Sequence, residues 1–221
     1  MTFTETTRSI VIGGHSGIGA AVARALEARP GQVIRAGRRT GLDISDPTSI
    51  TAFFAKQEAF DHLVITAGSQ APGGALAALD LIAAKAAFET KFWGTITAIK
   101  TAAPSIRPGG TVTLTSGFLA RRTTPGTLVK TTMNAALEAA AGILALELAP
   151  LRVNVVSPGF TDTYEGAPDP ARPRMLADAA ARLPAGRVAQ PADLAAAYLF
   201  LIDNPSATGS TVDIEGGALI A

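Results

Sequence analysis

SIVIGGHSGIG, residues 9–19, passes from a β-branched run directly into a glycine-rich turn. Ser9–Ile12 predicts a short buried strand, because Ile and Val suit a packed, pleated surface and the glycines end the run. Apolar residues then recur at helical spacing from Gly17 to Arg29, where Pro30 and Gly31 stop the helix. Glycine stands at 13, 17 and 19 in the turn between them. Gly13 permits a tight turn, Gly17 lets the backbone approach a pyrophosphate, and Gly19 lets helix and strand pack closely. The helix start, with His15, Ser16 and Ile18 around it, offers free N–H groups and the positive end of the helix dipole to phosphate. A glycine turn alone is weak and can be merely structural; between a strand and a helix it predicts a nucleotide site.

The pattern continues outward. Gln32–Ala36 reads as a second strand, LDIS at 42–45 as a very short third, and His62–Thr66 as a fourth. Thr111–Thr115, Arg152–Ser157 and Thr211–Ile214 follow as the fifth to seventh. Helical spacing covers Pro47–Glu58, with Asp46 placed to cap it, and Leu79–Pro104, interrupted near Gly94. It returns at Thr131–Ala149 and Asp193–Ile202. The proline-rich stretch PGFTDTYEGAPDPARPRM, 158–175, reads as loop, and residues 1–7 as a flexible tail. Apolar strands alternating with helices predict one doubly wound α/β domain over 1–221, a Rossmann fold. Its parallel sheet is expected to have seven strands and helices on both faces.

Composition narrows the function classes. The 221 residues carry a formal net charge of +1 with 17% charged residues, so nothing in the charge points to nucleic acid or an anionic membrane. There is no cysteine, which removes disulfides, thiolate metal sites and a cysteine nucleophile, and no histidine–carboxylate cluster suggests a metal. MTFTETTRS lacks a signal peptide's apolar core, and the run Ala135–Ala149 is too short to span a bilayer and is interrupted by Glu138 and Glu147. The expectation is a cytoplasmic protein. After the second strand, where a carboxylate would hold the ribose hydroxyl of NAD, this chain has Gly37, Arg38 and Arg39. Two guanidiniums without an acid favour a 2′-phosphate, hence NADP over NAD; the alternative is a solvated basic turn.

With GxxxGxG at 13–19, ITAG at 65–68, TSG at 115–117, RVNVVSPGFTDT at 152–163 and ATGSTVDIEGG near the end, the sequence resembles the short-chain dehydrogenases/reductases. The resemblance runs from about Ser9 to Gly217. It implies hydride transfer between NADP(H) and a small alcohol or carbonyl compound. It also implies that Asp43 lies beside the adenine, that Ala67, Gly68, Pro158 and Gly159 stand in cofactor-contacting stretches, and that Thr163 meets the nicotinamide carboxamide. A homotetramer or dimer is implied too, built partly on the helices near 85–104 and 131–149.

The catalytic motifs depart from the family. Its members use serine, a YxxxK tyrosine and lysine, and an asparagine from the preceding helix. Ser116 fits the serine, but Tyr164 is followed four residues later by Pro168, and Tyr198 by Ile202. Aligning back from AAL at 135–137 and ALEL at 145–148 puts Lys130 at the tyrosine position and Asn134 at the lysine position. A one-residue slip would offer the inert Val129 and Met133 instead. In the preceding helix, where the family reads N-x-x-G, this chain reads Lys91-Phe92-Trp93-Gly94. Lys91 and Asn134 therefore look like an exchange of the two groups across one site; the alternative is a decayed site. On the first reading Ser116 donates to the substrate oxygen, Lys130 is a desolvated acid in the tyrosine's place, and Lys91 binds ribose hydroxyls.

Tyr164 is a second candidate acid, in the loop that caps the substrate pocket in relatives, against the plainer reading of an exposed aromatic. Tyr198 and His62 read as structural, His15 as a flank of the phosphates, and Phe92 and Trp93 as packing or subunit contact. The short loop after Thr163 implies a small substrate or an open cleft. Two functions stay in play: an NADP-dependent oxidoreductase with an altered catalytic set, or an NADP(H)-binding protein without dehydrogenase activity.

Overall fold

The computed structural model describes residues 3–68, 70–167 and 169–221. Six strands form one parallel sheet: β1 Arg8–Ile12, β2 Gln32–Ala36, β3 Phe60–Ile65, β4 Ile106–Thr115, β5 Arg152–Pro158 and β6 Thr211–Ile214, in the order β2-β1-β3-β4-β5-β6. Ile10 lies opposite Ile34 on one side and Leu63 on the other, so β1 is central and its two faces both need cover. Alternation supplies it. Ile10 and Ile12 join one buried cluster with Leu63, Ile65, Val112, Leu114, Ile99 and Ala141, while Val11 joins another with Val64, Val22, Leu26, Leu194 and Tyr198.

The second cluster is roofed by α1 Gly17–Glu27 and, later in the chain, Pro191–Asp203; the first by α2 Pro47–Phe54 and the helices of the middle of the chain. That middle region runs as α3 Leu81–Phe88, a π-helical turn Glu89–Trp93 and α4 Gly94–Ala102, then α5 Leu128–Glu147; α6 is Arg172–Ala180 and α7 is Pro191–Asp203. The Asp46 side chain accepts from the Thr48 N–H at 2.9 Å and starts α2 as its sequence predicts.

Three expectations are corrected. The LDIS segment is no strand, so the sheet has six strands rather than seven. Asp43 accepts from both the N–H and the hydroxyl of Ser45, at 2.9 and 2.7 Å, and this local bonding closes a turn in place of a ladder. Leu42 and Ile44 are buried all the same, and an added Cβ on Gly94 would lie 2.2 Å from the Ile44 carbonyl oxygen; the helix needs glycine where this turn crosses it.

The proline-rich loop gives way to α6, which starts at Arg172; Pro173 sits in its first turn, where a missing N–H costs nothing. Of the expected tail, Met1 and Thr2 lie outside the described residues, but 3–7 are fixed. Phe3 stacks on His62 with centroids 5.2 Å apart, Arg29 lies over the Phe3 ring, and the Gln32 N–H donates to the Thr7 carbonyl at 2.8 Å. No helix among the described residues is long and apolar enough to cross a membrane.

Candidate active site

β1 is the point where the connections part: α1 returns over one face and the α3–α4 region over the other. A crevice opens there at the strand ends, where open α/β sheets bind ligands. The cleft is about 900 Å³ and is lined by Gly13, His15, Ser16, Gly17, Ile18, Gly19, Arg38, Arg39, Asp43, Ala67, Gly68 and Thr163. Twelve cofactor candidates thus share one wall-to-wall cavity. Pro158 and Gly159 do not line it: Pro158 pairs with Ile214 in the β5–β6 ladder, and the Gly159 N–H donates to the Ile214 carbonyl. Residues that the sequence reading passed over also line the cleft, among them Thr66, Ala83, Ala86, Ala87 and Thr90. Their spacing of 83, 86, 87 and 90 is one helical face, and that signal was available.

The turn fits an anionic nucleotide. Gly13 has φ +85°, and an added Cβ would lie 2.6 Å from Thr66 Oγ1, which itself donates to the Ile12 carbonyl at 3.0 Å. A Cβ on Gly19 would fall 2.2 Å from the Gly13 carbonyl oxygen. Ser16, the N-cap of α1, makes no side-chain capping bond, leaving the first-turn donors for another acceptor. One of them, the Gly17 N–H, already holds an anion: Glu165 Oε1 at 3.0 Å. His15 Nε2 is buried without a hydrogen-bond partner among the described residues. Arg38 and Arg39 are exposed at the cleft and form no ion pair among the described residues. Asp43 is held below the usual carboxylate range by the Ser45 hydroxyl and N–H, and then by Arg38.

A polar cluster stands behind the cleft. Lys91 sits in the π-helical turn, the kind of helix irregularity that re-aims a side chain at a functional site. Its Nζ donates to Asn134 Oδ1 at 2.7 Å and to the Ser116 carbonyl at 3.0 Å. Burial brings its pKa down to about 8. Asn134 is buried on α5, and Gly117 makes room for it: an added Cβ there would lie 2.8 Å from Asn134 Nδ2. The two groups whose positions look exchanged in sequence do meet.

Two candidates stand differently from expectation. Ser116 is buried and its hydroxyl donates to Glu138 Oε1 at 2.7 Å, so its one proton is engaged and does not point at a substrate oxygen. Glu138 is held in turn by Arg121 Nε at 3.2 Å, and Arg121 by Asp213. Lys130 is exposed, so the desolvated lysine of this site is Lys91 rather than Lys130. Glu138 could have been read from the sequence, since it continues the spacing of four from Lys130 through Asn134.

The tyrosines separate cleanly. Tyr198 is fully buried with its hydroxyl 2.6 Å from Thr115 Oγ1, and burial pushes the phenol far above its ordinary pKa. Tyr164 is exposed; its hydroxyl donates to the Ala167 carbonyl and Arg172 covers its ring. His62 is buried against Thr111, its pKa lowered to about 4 chiefly by desolvation. No group of three or more His, Cys, Asp or Glu able to hold a metal exists among the described residues.

A family model described as enoyl-(acyl carrier protein) reductase matches residues 23–218. The chain is 36% identical over 166 residues to a short-chain dehydrogenase/reductase of Stachybotrys chlorohalonatus, covering 72% of this chain and 64% of the relative. It is 30% identical over 244 residues to the cis-4-hydroxycyclohexanecarboxylate dehydrogenase of Sinomonas cyclohexanicum, covering 95% of each. The chain spans about half the length of two other curated relatives that it matches. Among solved structures, a small-chain dehydrogenase in complex with NADPH is 47% identical at a TM-score of 0.94, over 98% of this chain and all of that one. A short-chain dehydrogenase from Burkholderia cenocepacia in complex with NADP is 26% identical at a TM-score of 0.83, over 99% of both chains.

Proposed function

The chain belongs to the short-chain dehydrogenase/reductase family, and from that premise we propose an NADP-dependent oxidoreductase that moves hydride between NADP(H) and a small alcohol or carbonyl compound, using a catalytic set without the YxxxK pair. The observation that carries this reading is the Lys91–Asn134 bond, 2.7 Å long, which keeps an ammonium and an amide together behind the cleft. Among the described residues two of the three Lys91 donors are used, on Asn134 and the Ser116 carbonyl, which leaves the third for a ligand hydroxyl.

When bound, NADPH supplies the hydride. The turn at Gly13, Gly17 and Gly19 would hold its diphosphate, with His15, Ser16 and Ile18 around it; Arg38 and Arg39 would take the 2′-phosphate, Asp43 the adenine side, Ala67 and Gly68 the ribose side, and Thr163 the carboxamide. Pro158 and Gly159 serve indirectly, by fixing the strand end that leads to Thr163. Two lysines compete to give the proton to the substrate oxygen: Lys91, whose pKa burial brings down to about 8, and Lys130, exposed one turn before Asn134 on α5. Ser116, whose hydroxyl donates to Glu138, can only accept from a substrate hydroxyl. Exposed Ile143 and Leu146 on α5 and Trp93 beside Lys91 support self-association through these helices.

The second reading, NADP(H) binding without turnover, is favoured by the engaged Ser116 hydroxyl and by the absence of a phenol from the cleft lining among the described residues. Fluorescence titration with NADPH and NADH, then a carbonyl panel followed at the nicotinamide absorbance, separates the two. Tight NADPH binding with oxidation supports the enzyme; binding without oxidation supports the second reading; preference for NADH overturns the role given to Arg38 and Arg39.

A further inference from the structure

The donor that the glycine turn holds out to phosphate is taken by the protein itself. The Gly17 N–H donates to Glu165 Oε1 at 3.0 Å across 148 residues of sequence. Gly17 has φ +51°, and a Cβ there would lie 3.2 Å from the Thr163 side chain, so the 163–165 stretch lies against the turn. That stretch is anchored on both sides. The Asp162 N–H donates to the Ala189 carbonyl at 2.8 Å, and Arg172 pairs with Asp162 while covering the Tyr164 ring at 4.4 Å. The Tyr164 hydroxyl then closes onto the Ala167 carbonyl at 2.8 Å. Glu165 is therefore carried to the turn by a braced strap rather than by its own side-chain freedom.

A carboxylate and a diphosphate are alternative anions for the same backbone donors and the same positive helix end. We propose that Glu165 is a built-in competitor for the cofactor's diphosphate: it occupies the Gly17 N–H in the free protein, and its side chain must leave that donor for NADP(H) to seat. The inference rests on the cofactor reading above. Its consequence is that only the fraction of molecules with the turn vacated binds cofactor, which weakens the apparent affinity by that fraction.

The test is NADPH titration of the wild type, Glu165→Gln and Glu165→Ala, each checked for folding by circular dichroism. Removing the carboxylate is expected to tighten NADPH binding about tenfold in Glu165→Ala, with Glu165→Gln between the two because the amide oxygen still accepts without the charge. Adenosine 2′-monophosphate, which has no diphosphate, is expected to bind all three within about twofold. Variants that bind NADPH no tighter than the wild type, or that gain equally for the monophosphate, overturn the inference while leaving the cofactor site intact. A wild type that binds no NADPH overturns the cofactor reading itself. The isosteric Glu165→Gln keeps the question answerable where the alanine variant fails to fold.

Discussion

The glycine turn of the cleft and the polar cluster behind it present hydrogen-bond donors by different means. At the glycine turn the donors are backbone N–H groups, and the side chains matter mainly by being absent: an added Cβ at Gly19 meets the Gly13 carbonyl oxygen at 2.2 Å. At the wall behind, the donors are side chains from separate elements, Lys91 from the π-helical turn and Asn134 from α5, fastened to each other at 2.7 Å. A backbone device is made rigid by local sterics and tolerates no bulk. A side-chain device depends on packing instead, because an ammonium and an amide on separate elements meet only where the helices bring them together.

That contrast is broken most severely at Gly19. Gly19→Val is expected to lower stability by about 3 kcal/mol and to abolish NADPH binding, since neither the strand end nor α1 can give way. Urea denaturation and fluorescence titration check it; wild-type affinity in this variant would mean that the turn is not the tight device described.

On the other side, Lys91→Met and Lys130→Ala are each expected to cut kcat by about 100-fold while NADPH affinity changes little, as for loss of a group that acts on the proton or its donor. The pH profile sharpens the pair. A limb near pH 8 that survives Lys130→Ala and disappears in Lys91→Met would make Lys91 the acid and Lys130 dispensable. Stability carries the same signature. Between about pH 8 and 10.5 the folded chain binds fewer protons at Lys91 than the unfolded chain. Wild-type stability should therefore rise over that window relative to Lys91→Met, by about 2 kcal/mol after allowing for solvent screening, and the full cost of the buried charge stands below it. Parallel melting curves of both proteins read the difference.

Smaller effects follow at the rim. Arg38→Ala is expected to weaken NADPH by about tenfold and leave NADH unchanged, the loss of one charge-assisted contact at an exposed position. Glu138→Gln keeps an acceptor for Ser116 but loses the charge facing Arg121, and a loss of about 1 kcal/mol in denaturant titration is expected.

Legibility follows the same division. The order of strands and helices was readable because the continuous apolar run in β1, which burial on both faces of a sheet enforces, and the helical spacing in α1 are local patterns. LDIS was misread because Leu42 and Ile44 carry a strand's apolar signal while Asp43 and Ser45 spend their bonds on a turn. α6 was missed because Pro173, read as a breaker, sits in the one helical turn that accepts it. The Lys91–Asn134 meeting could be suspected from motif positions that look exchanged, but the engagement of Ser116 with Glu138 and the exposure of Lys130 could not.

By itself the sequence determined the strand–turn–helix around Gly13–Gly19, the alternation of elements behind it and the basic turn at Arg38 and Arg39. Each depends on backbone sterics and residue spacing within a few residues. The tertiary structure alone decided which polar groups are paired: Lys91 with Asn134, 43 residues apart, Ser116 with Glu138, 22 apart, and Glu165 with the Gly17 N–H, 148 apart. Those pairings depend on how helices and loops pack across the sheet, and the desolvation that tunes Lys91 exists only once that packing has formed.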